Sequence, residues 1–169
     1  MALVLNTNSY VTVDEADSYF ETRIDSANWT AADDEIKESA LVTATDLVDD
    51  NAWIGSAVSS SQALAWPRNN ATYFDTRMGV SITIGSGTVP DQVKEAVYEQ
   101  ALHLVDNEDL LQGKTQTFES ISVGSISISD SNSDVTRTSI KPKLVRNKIR
   151  LLLNKAYANG VGSQWWRAN

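Results

Sequence analysis

Hydrophobic positions along the chain fall into a helical rhythm in four places and a two-residue rhythm in two. The first helical start is Thr12-Val13-Asp14-Glu15, a capping box. There the Thr12 hydroxyl accepts from the Glu15 backbone N–H while the Glu15 carboxylate reaches back to the N–H of Thr12. Ala16, Tyr19, Phe20 and Arg23 continue a short amphipathic helix that ends before Ser26-Ala27-Asn28. Thr30 is a second start, with Asp33, Asp34 and Glu35 favoured in the first turn by the helix dipole. From it, Ile36, Ala40, Leu41, Ala44, Leu47 and Val48 lay one apolar stripe on a helix running to about Asp50. Pro90 and Asp91 open a third helix, on which Val93, Ala96, Val97, Gln100, Ala101, Leu104 and Val105 face one way to an end near Asn107. Pro142 opens the fourth, over 144–158, with Leu144, Val145, Ile149, Leu152, Leu153 and Ala156 inward and Gly160 as its stop.

The two-residue rhythm predicts hairpins. Thr72–Asp75 pairs with 80–84 around Met78-Gly79, the second arm alternating Val80, Ile82, Ile84. Gly124-Ser125 joins Ile121-Ser122-Val123 to Ile126-Ser127-Ile128, which sets Val123 opposite Ile126. So short a hairpin needs a neighbour to lie against. Residues 51–70 read as a long connection whose Trp53 and Trp66 require it to pack down, and Pro67 discourages a helix through Trp66. The expected fold is mainly α: a four-helix bundle with two small β-hairpins and an extended C-terminal arm. Its organisation is a single helical domain over 1–158, with a Ser/Thr-rich hairpin extension at 113–140, then a docking arm at 159–169.

Charge changes this picture more than composition does. The 169 residues carry a net charge of −8, yet all seven basic residues from Lys141 onward (Lys141, Lys143, Arg146, Lys148, Arg150, Lys155, Arg167) lie in a stretch without a single acid. All 22 acidic residues precede it. Such asymmetry directs the C-terminal piece toward an acidic surface, on its own chain, on a neighbour, or on nucleic acid. The N-terminal apolar run lacks a basic leader and is not expected to be a secretory signal, and no segment has the length of a membrane span.

Candidate chemistry is sparse. No cysteine is present and His103 is the sole histidine, so neither a zinc site nor a Ser/His/Asp arrangement is expected. Gly85-Ser86-Gly87-Thr88 lacks the lysine of a phosphate-binding loop and reads as a turn. The clusters Asp33-Asp34-Glu35, Asp49-Asp50 and Asp106-Glu108-Asp109 do not match a calcium loop and read as solvated helix ends. Lys141, Lys143, Arg146, Lys148 and Arg150 could meet phosphates, but aromatics are absent from that run until Tyr157. The expectation is a non-enzymatic protein with no cofactor and no metal.

Four strings in order carry a resemblance: the segment from Tyr10-Val11-Thr12-Val13-Asp14-Glu15 to Tyr19-Phe20, Ala40-Leu41-Val42-Thr43-Ala44-Thr45, Gln62-Ala63-Leu64-Ala65-Trp66-Pro67-Arg68 after Trp53-Ile54-Gly55, and Val89-Pro90-Asp91-Gln92-Val93-Lys94-Glu95-Ala96. Together they resemble the head–tail adaptor (connector) proteins of tailed bacteriophages, some of which carry the label DnaT-like single-stranded DNA-binding protein. The resemblance implies a helical subunit of a dodecameric ring between portal and tail. The ring extends the channel for double-stranded genomic DNA without sequence-specific binding. It further implies a portal protein and a tail or nozzle protein as partners. The location implied is the virion, after assembly in the host cytoplasm and away from membranes. The alternative is a single-stranded DNA-binding replication accessory protein, which the acidic balance does not favour.

Ring subunits need two unlike faces, and an acidic body with a basic last helix supplies them. Lys141, Lys143, Arg146 and Arg150 are therefore the expected subunit-interface residues. Trp165, Trp166 and Arg167 on the terminal arm are the expected portal anchors, tryptophan being a common one. In the 53–68 connection, Trp66 is expected in the core, Pro67 to stiffen the exit beside Trp53, and Arg68 to pair with a carboxylate.

Overall fold

The computed structural model describes residues 2–107 and 142–154, and the backbone pairing of 122–123 with 126–127. Helix α1 (Val13–Phe20) starts at the capping box, with both reciprocal bonds between Thr12 and Glu15 in place at 3.2 and 2.9 Å. Two helices follow where one was expected. The short α2 (Ala27–Ala31) turns extended at Ala32, and α3 (Asp34–Asp49) begins after Asp33. Trp29 is the reason for the extra turn: it is buried, and its indole N–H donates to Asp17 Oδ1 at 2.7 Å on α1. A helix running continuously from Thr30 would not hold both Trp29 against α1 and the stripe of α3 against the core.

Helix α4 (Asp91–Asp106) packs chiefly on α3 and then on α5 (Lys143–Ile149). Small residues make the α3–α4 approach close: Ala40 and Ala44 on one helix, Ala96 and Ala101 on the other, all buried with Leu41, Val48, Val93 and Val97. The expected stripe holds except at its start, where Ile36 is 45% exposed. Helix α5 ends at Ile149, well short of the expected 158. Leu152 is fully buried, and Leu153 bridges in antiparallel fashion to Trp53. The Ile54 N–H donates to the Leu152 carbonyl at 2.9 Å and the Asn154 N–H to that of Ala52 at 2.8 Å, so the chain leaves the helix to make a strand-like contact.

Three two-stranded antiparallel sheets lie among the described residues: β1 (Ser56–Ala57) with β2 (Arg68–Asn69), β3 (Thr72–Asp75) with β4 (Val80–Thr83), and β5 (Ser122–Val123) with β6 (Ile126–Ser127). The second matches the expected hairpin except that β4 stops at Thr83 rather than at Ile84, and the third has the expected register, Val123 opposite Ile126. The first was not foreseen and closes the 51–70 connection. Gly55, at φ +72°, is required there: a Cβ would sit 2.4 Å from the Asn69 carbonyl oxygen. The fold is thus helix-rich with small sheets and no barrel, with five helices of unequal length among the described residues rather than a bundle of four. None of these helices is long and apolar enough to cross a membrane.

Candidate functional site

The 53–68 connection is rooted in a polar node that sequence reasoning missed. Tyr10 is buried, and its hydroxyl donates to Asp49 Oδ1 while accepting the Trp66 N–H at 3.0 Å. Asp49 Oδ2 takes the Ala65 N–H at 2.8 Å, and the Asp49 carbonyl takes the Trp53 indole N–H at 3.2 Å. Burial pushes the Tyr10 phenol well above its ordinary range, and the Asp49 carboxylate adds to it. Asp49 itself is raised by burial, which outweighs the bonds from Tyr10 and Ala65. The sequence placed Asp49 on a solvated helix end; it is instead the carboxylate on which the N-terminal segment, α3 and the connection converge.

On that root sit the tryptophans. Trp53 and Trp66 are 5% and 2% exposed and meet edge to face at 5.7 Å, and the Trp66–Pro67 peptide is cis. Among the described residues Arg68 forms no ion pair with a carboxylate. Its guanidinium donates to the carbonyls of Ile54 at 2.7 Å, Ala65 at 3.1 Å and Gly55 at 2.9 Å. The reason is local: β1–β2 pairing folds the connection back on Arg68, and its inward carbonyls need a donor fork.

Tyr10→Phe is expected to destabilise the fold by about 2–3 kcal/mol at neutral pH, because Asp49 loses a donor and the Trp66 N–H its acceptor. The sign with pH follows from Asp49. Its folded value lies above the unfolded one, so protonation favours the folded state and that contribution fades as pH rises through the folded value. The cost of the substitution should therefore shrink toward pH of about 4. Urea titrations at both pH values check it, and an equal cost would show that Asp49 is not the residue in play.

The second region is α5. Val145 and Ile149 face the core, and Lys148 reaches Glu95 on α4. Lys143, Arg146 and Arg150, at helical spacings of three and four, form an exposed stripe on the opposite side, with no ion pair to any described residue. Of the expected interface residues, three are thus brought together. Lys141 lies outside the described residues, as do the expected anchors Trp165, Trp166 and Arg167, the docking arm, and most of the 113–140 extension.

Third, α1 and α4 enclose an open groove of about 460 Å³ lined by Glu15, Ser18, Tyr19, Asp91, Lys94, Glu95 and Tyr98. Lys94 binds Glu15 at 3.0 Å. Burial works against the Glu15 carboxylate, but the Thr12 N–H and Lys94 prevail and hold it below the usual range. The Tyr19 and Tyr98 rings lie 4.8 Å apart, tilted by 31°. Beside the groove, Glu99 is buried and shared by Arg23 and Tyr19. Among the described residues no group of three His, Asp or Glu side chains could hold a metal ion.

A family model described as "Putative DnaT-like ssDNA binding protein" matches residues 2–167. The chain belongs to that family. No curated protein and no solved structure matches it. In this DnaT-like chain the match takes in the segments around α5 as well as the 53–68 connection and the groove helices. The sequence signals for the missed residues were faint: a lone tyrosine two positions before the cap, and Tyr98-Glu99-Gln100 interrupting an apolar helix face.

Proposed function

We propose that this DnaT-like chain is a structural, non-enzymatic subunit that assembles head to tail into a ring, the adaptor between portal and tail of a tailed bacteriophage. The observation that carries the reading is how charge is divided on the folded surface. Residues 2–107 hold 17 acidic and five basic side chains. Those five are already engaged: Arg23 with Asp25 and Glu99, Lys37 with Asp17, Arg77 with Asp75, Lys94 with Glu15, and Arg68 with carbonyls. What is left over on the described surface is a net-acidic body and the free Lys143–Arg146–Arg150 stripe. Opposite charge on two unlike faces of one chain favours heterologous contact between copies, which closes into rings. In this reading the portal and a tail or nozzle protein meet the ring, and the 159–169 arm, through Trp165, Trp166 and Arg167, anchors on the portal.

The family's description favours a second reading, a single-stranded DNA-binding accessory protein. The α5 stripe would then follow phosphates, against the field of the acidic body and without an aromatic platform beside it among the described residues. The experiment is electron-microscope class averaging of the purified chain, alone and with portal rings, and of the chain lacking 161–169. Closed rings that seat on the portal, and lose that seat with the arm, are expected. Monomers that coat oligonucleotides with an affinity falling steeply with salt would overturn the adaptor reading.

A further inference from the structure

We infer that the groove between α1 and α4 is the receptor for the α5 arginines of a second copy, Arg146 and Arg150, so that stripe and groove are the two halves of one subunit contact. The inference rests on the ring reading above and names the surfaces that make it.

The groove asks for a cationic donor. Its Tyr98 side chain is 7% exposed, and its hydroxyl has no hydrogen-bond partner among the described residues although it opens on the groove. The ring is buried while the hydroxyl keeps access to solvent, so it is the end of the side chain that a ligand entering the groove can reach. Around it stand three carboxylates. Glu15 is occupied by Lys94 and Glu95 by Lys148, but Asp91, exposed in the first turn of α4, has no ion pair among the described residues. The charge near Tyr98 is accordingly negative: after burial, the carboxylates of Glu15, Asp91 and Glu95 are what push its phenol up. A group that donates to a hydroxyl and to a carboxylate while lying against paired tyrosine rings is a guanidinium, which is planar, permanently charged and weakly hydrated.

The same chain presents such groups and, among the described residues, nothing to receive them. Arg146 and Arg150 point away from the core on the exposed side of α5, and the one α5 cation on the groove side, Lys148, is already spent on Glu95. Relative to the described residues the stripe faces outward, which leaves it open to a complement on another copy. A contact in which the stripe of each copy enters the groove of the next repeats without being self-complementary, which is the arrangement a ring requires.

Three chains test it: Asp91→Arg, the double variant Arg146→Asp with Arg150→Asp, and Tyr98→Phe. Mass photometry of the wild type should give a closed oligomer, and each charge-reversed chain alone should stay monomeric. Mixing the two reversed chains should restore the oligomer, because each stripe then meets a groove of opposite sign. Tyr98→Phe removes only an unpartnered hydroxyl, so its melting temperature should hold while self-association weakens about tenfold. Oligomers of wild-type size from the Asp91→Arg and Tyr98→Phe chains would overturn the groove and leave the ring reading standing. A wild type that stays monomeric at every concentration would overturn both.

Discussion

Trp66→Ala is expected to lower the stability of the folded chain by about 3–5 kcal/mol, the range for truncating a buried large aromatic. The indole is 2% exposed, packs edge-on to Trp53, and holds the exit of a connection whose backbone N–H is bound by Tyr10. Removing it leaves a cavity that Trp53 alone is too constrained to fill, since Trp53 is tied by its own indole N–H to the Asp49 carbonyl. A second substitution separates volume from polarity. The Trp66 Nε1–H has no acceptor among the described residues, so Trp66→Phe forfeits some packing but no hydrogen bond and should cost well under half as much. Urea denaturation of both variants with unchanged slope decides it. A loss for Trp66→Phe above half that for Trp66→Ala would mean that more than ring volume is lost, as when the indole N–H is bonded.

The other large effect is expected at Arg23. This side chain forks between Asp25, at 2.9 and 2.8 Å, and the buried Glu99, with Tyr19 accepting at 3.2 Å from the same nitrogen. The pairing with Asp25 is first among the causes that hold the guanidinium charged, against a smaller opposing effect of burial. Arg23→Met keeps the stem and deletes the charge, which leaves Glu99 buried with the Tyr19 hydroxyl as its one side-chain donor among the described residues. Breaking a buried pair from one side costs about 3–5 kcal/mol, and the partial exposure of Arg23 places the expected loss near the lower bound, about 3 kcal/mol. Arg23→Lys should recover part of it, since an ammonium restores charge without the fork. A loss for Arg23→Met below about 1 kcal/mol would show that water reaches Glu99 and that the pair is a surface one.

What the sequence disclosed and what it hid divide along a physical line. Signals that close within a few residues were legible: the Thr12–Glu15 cap, the Thr72–Asp75 hairpin, the Val123–Ile126 register, and the stripes of α3 and α4. Features settled by distant partners were not. Thr30 has the chemistry of a helix start, but Trp29 had to reach Asp17 and so needed α2 to itself. Leu152 and Leu153 fit a helical face, yet they serve residues 52–54, a hundred positions away. Arg68 has the charge for a carboxylate, and carbonyls brought near by a two-residue ladder claimed it instead. For the candidate site, the basic stripe was visible as a composition bias, whereas the groove is made by two helices about 80 residues apart whose tyrosines meet only in the fold.

The bridge between Leu153 and Trp53 has a mechanical consequence. Two backbone hydrogen bonds, from Ile54 to Leu152 and from Asn154 to Ala52, clamp the chain just before it continues past residue 154. Tension arriving from beyond that point is loaded first onto those two bonds, and behind them onto the interlocked rings of Trp53 and Trp66. Helix α5, with its outward arginines, is thereby shielded from strain transmitted along the polypeptide.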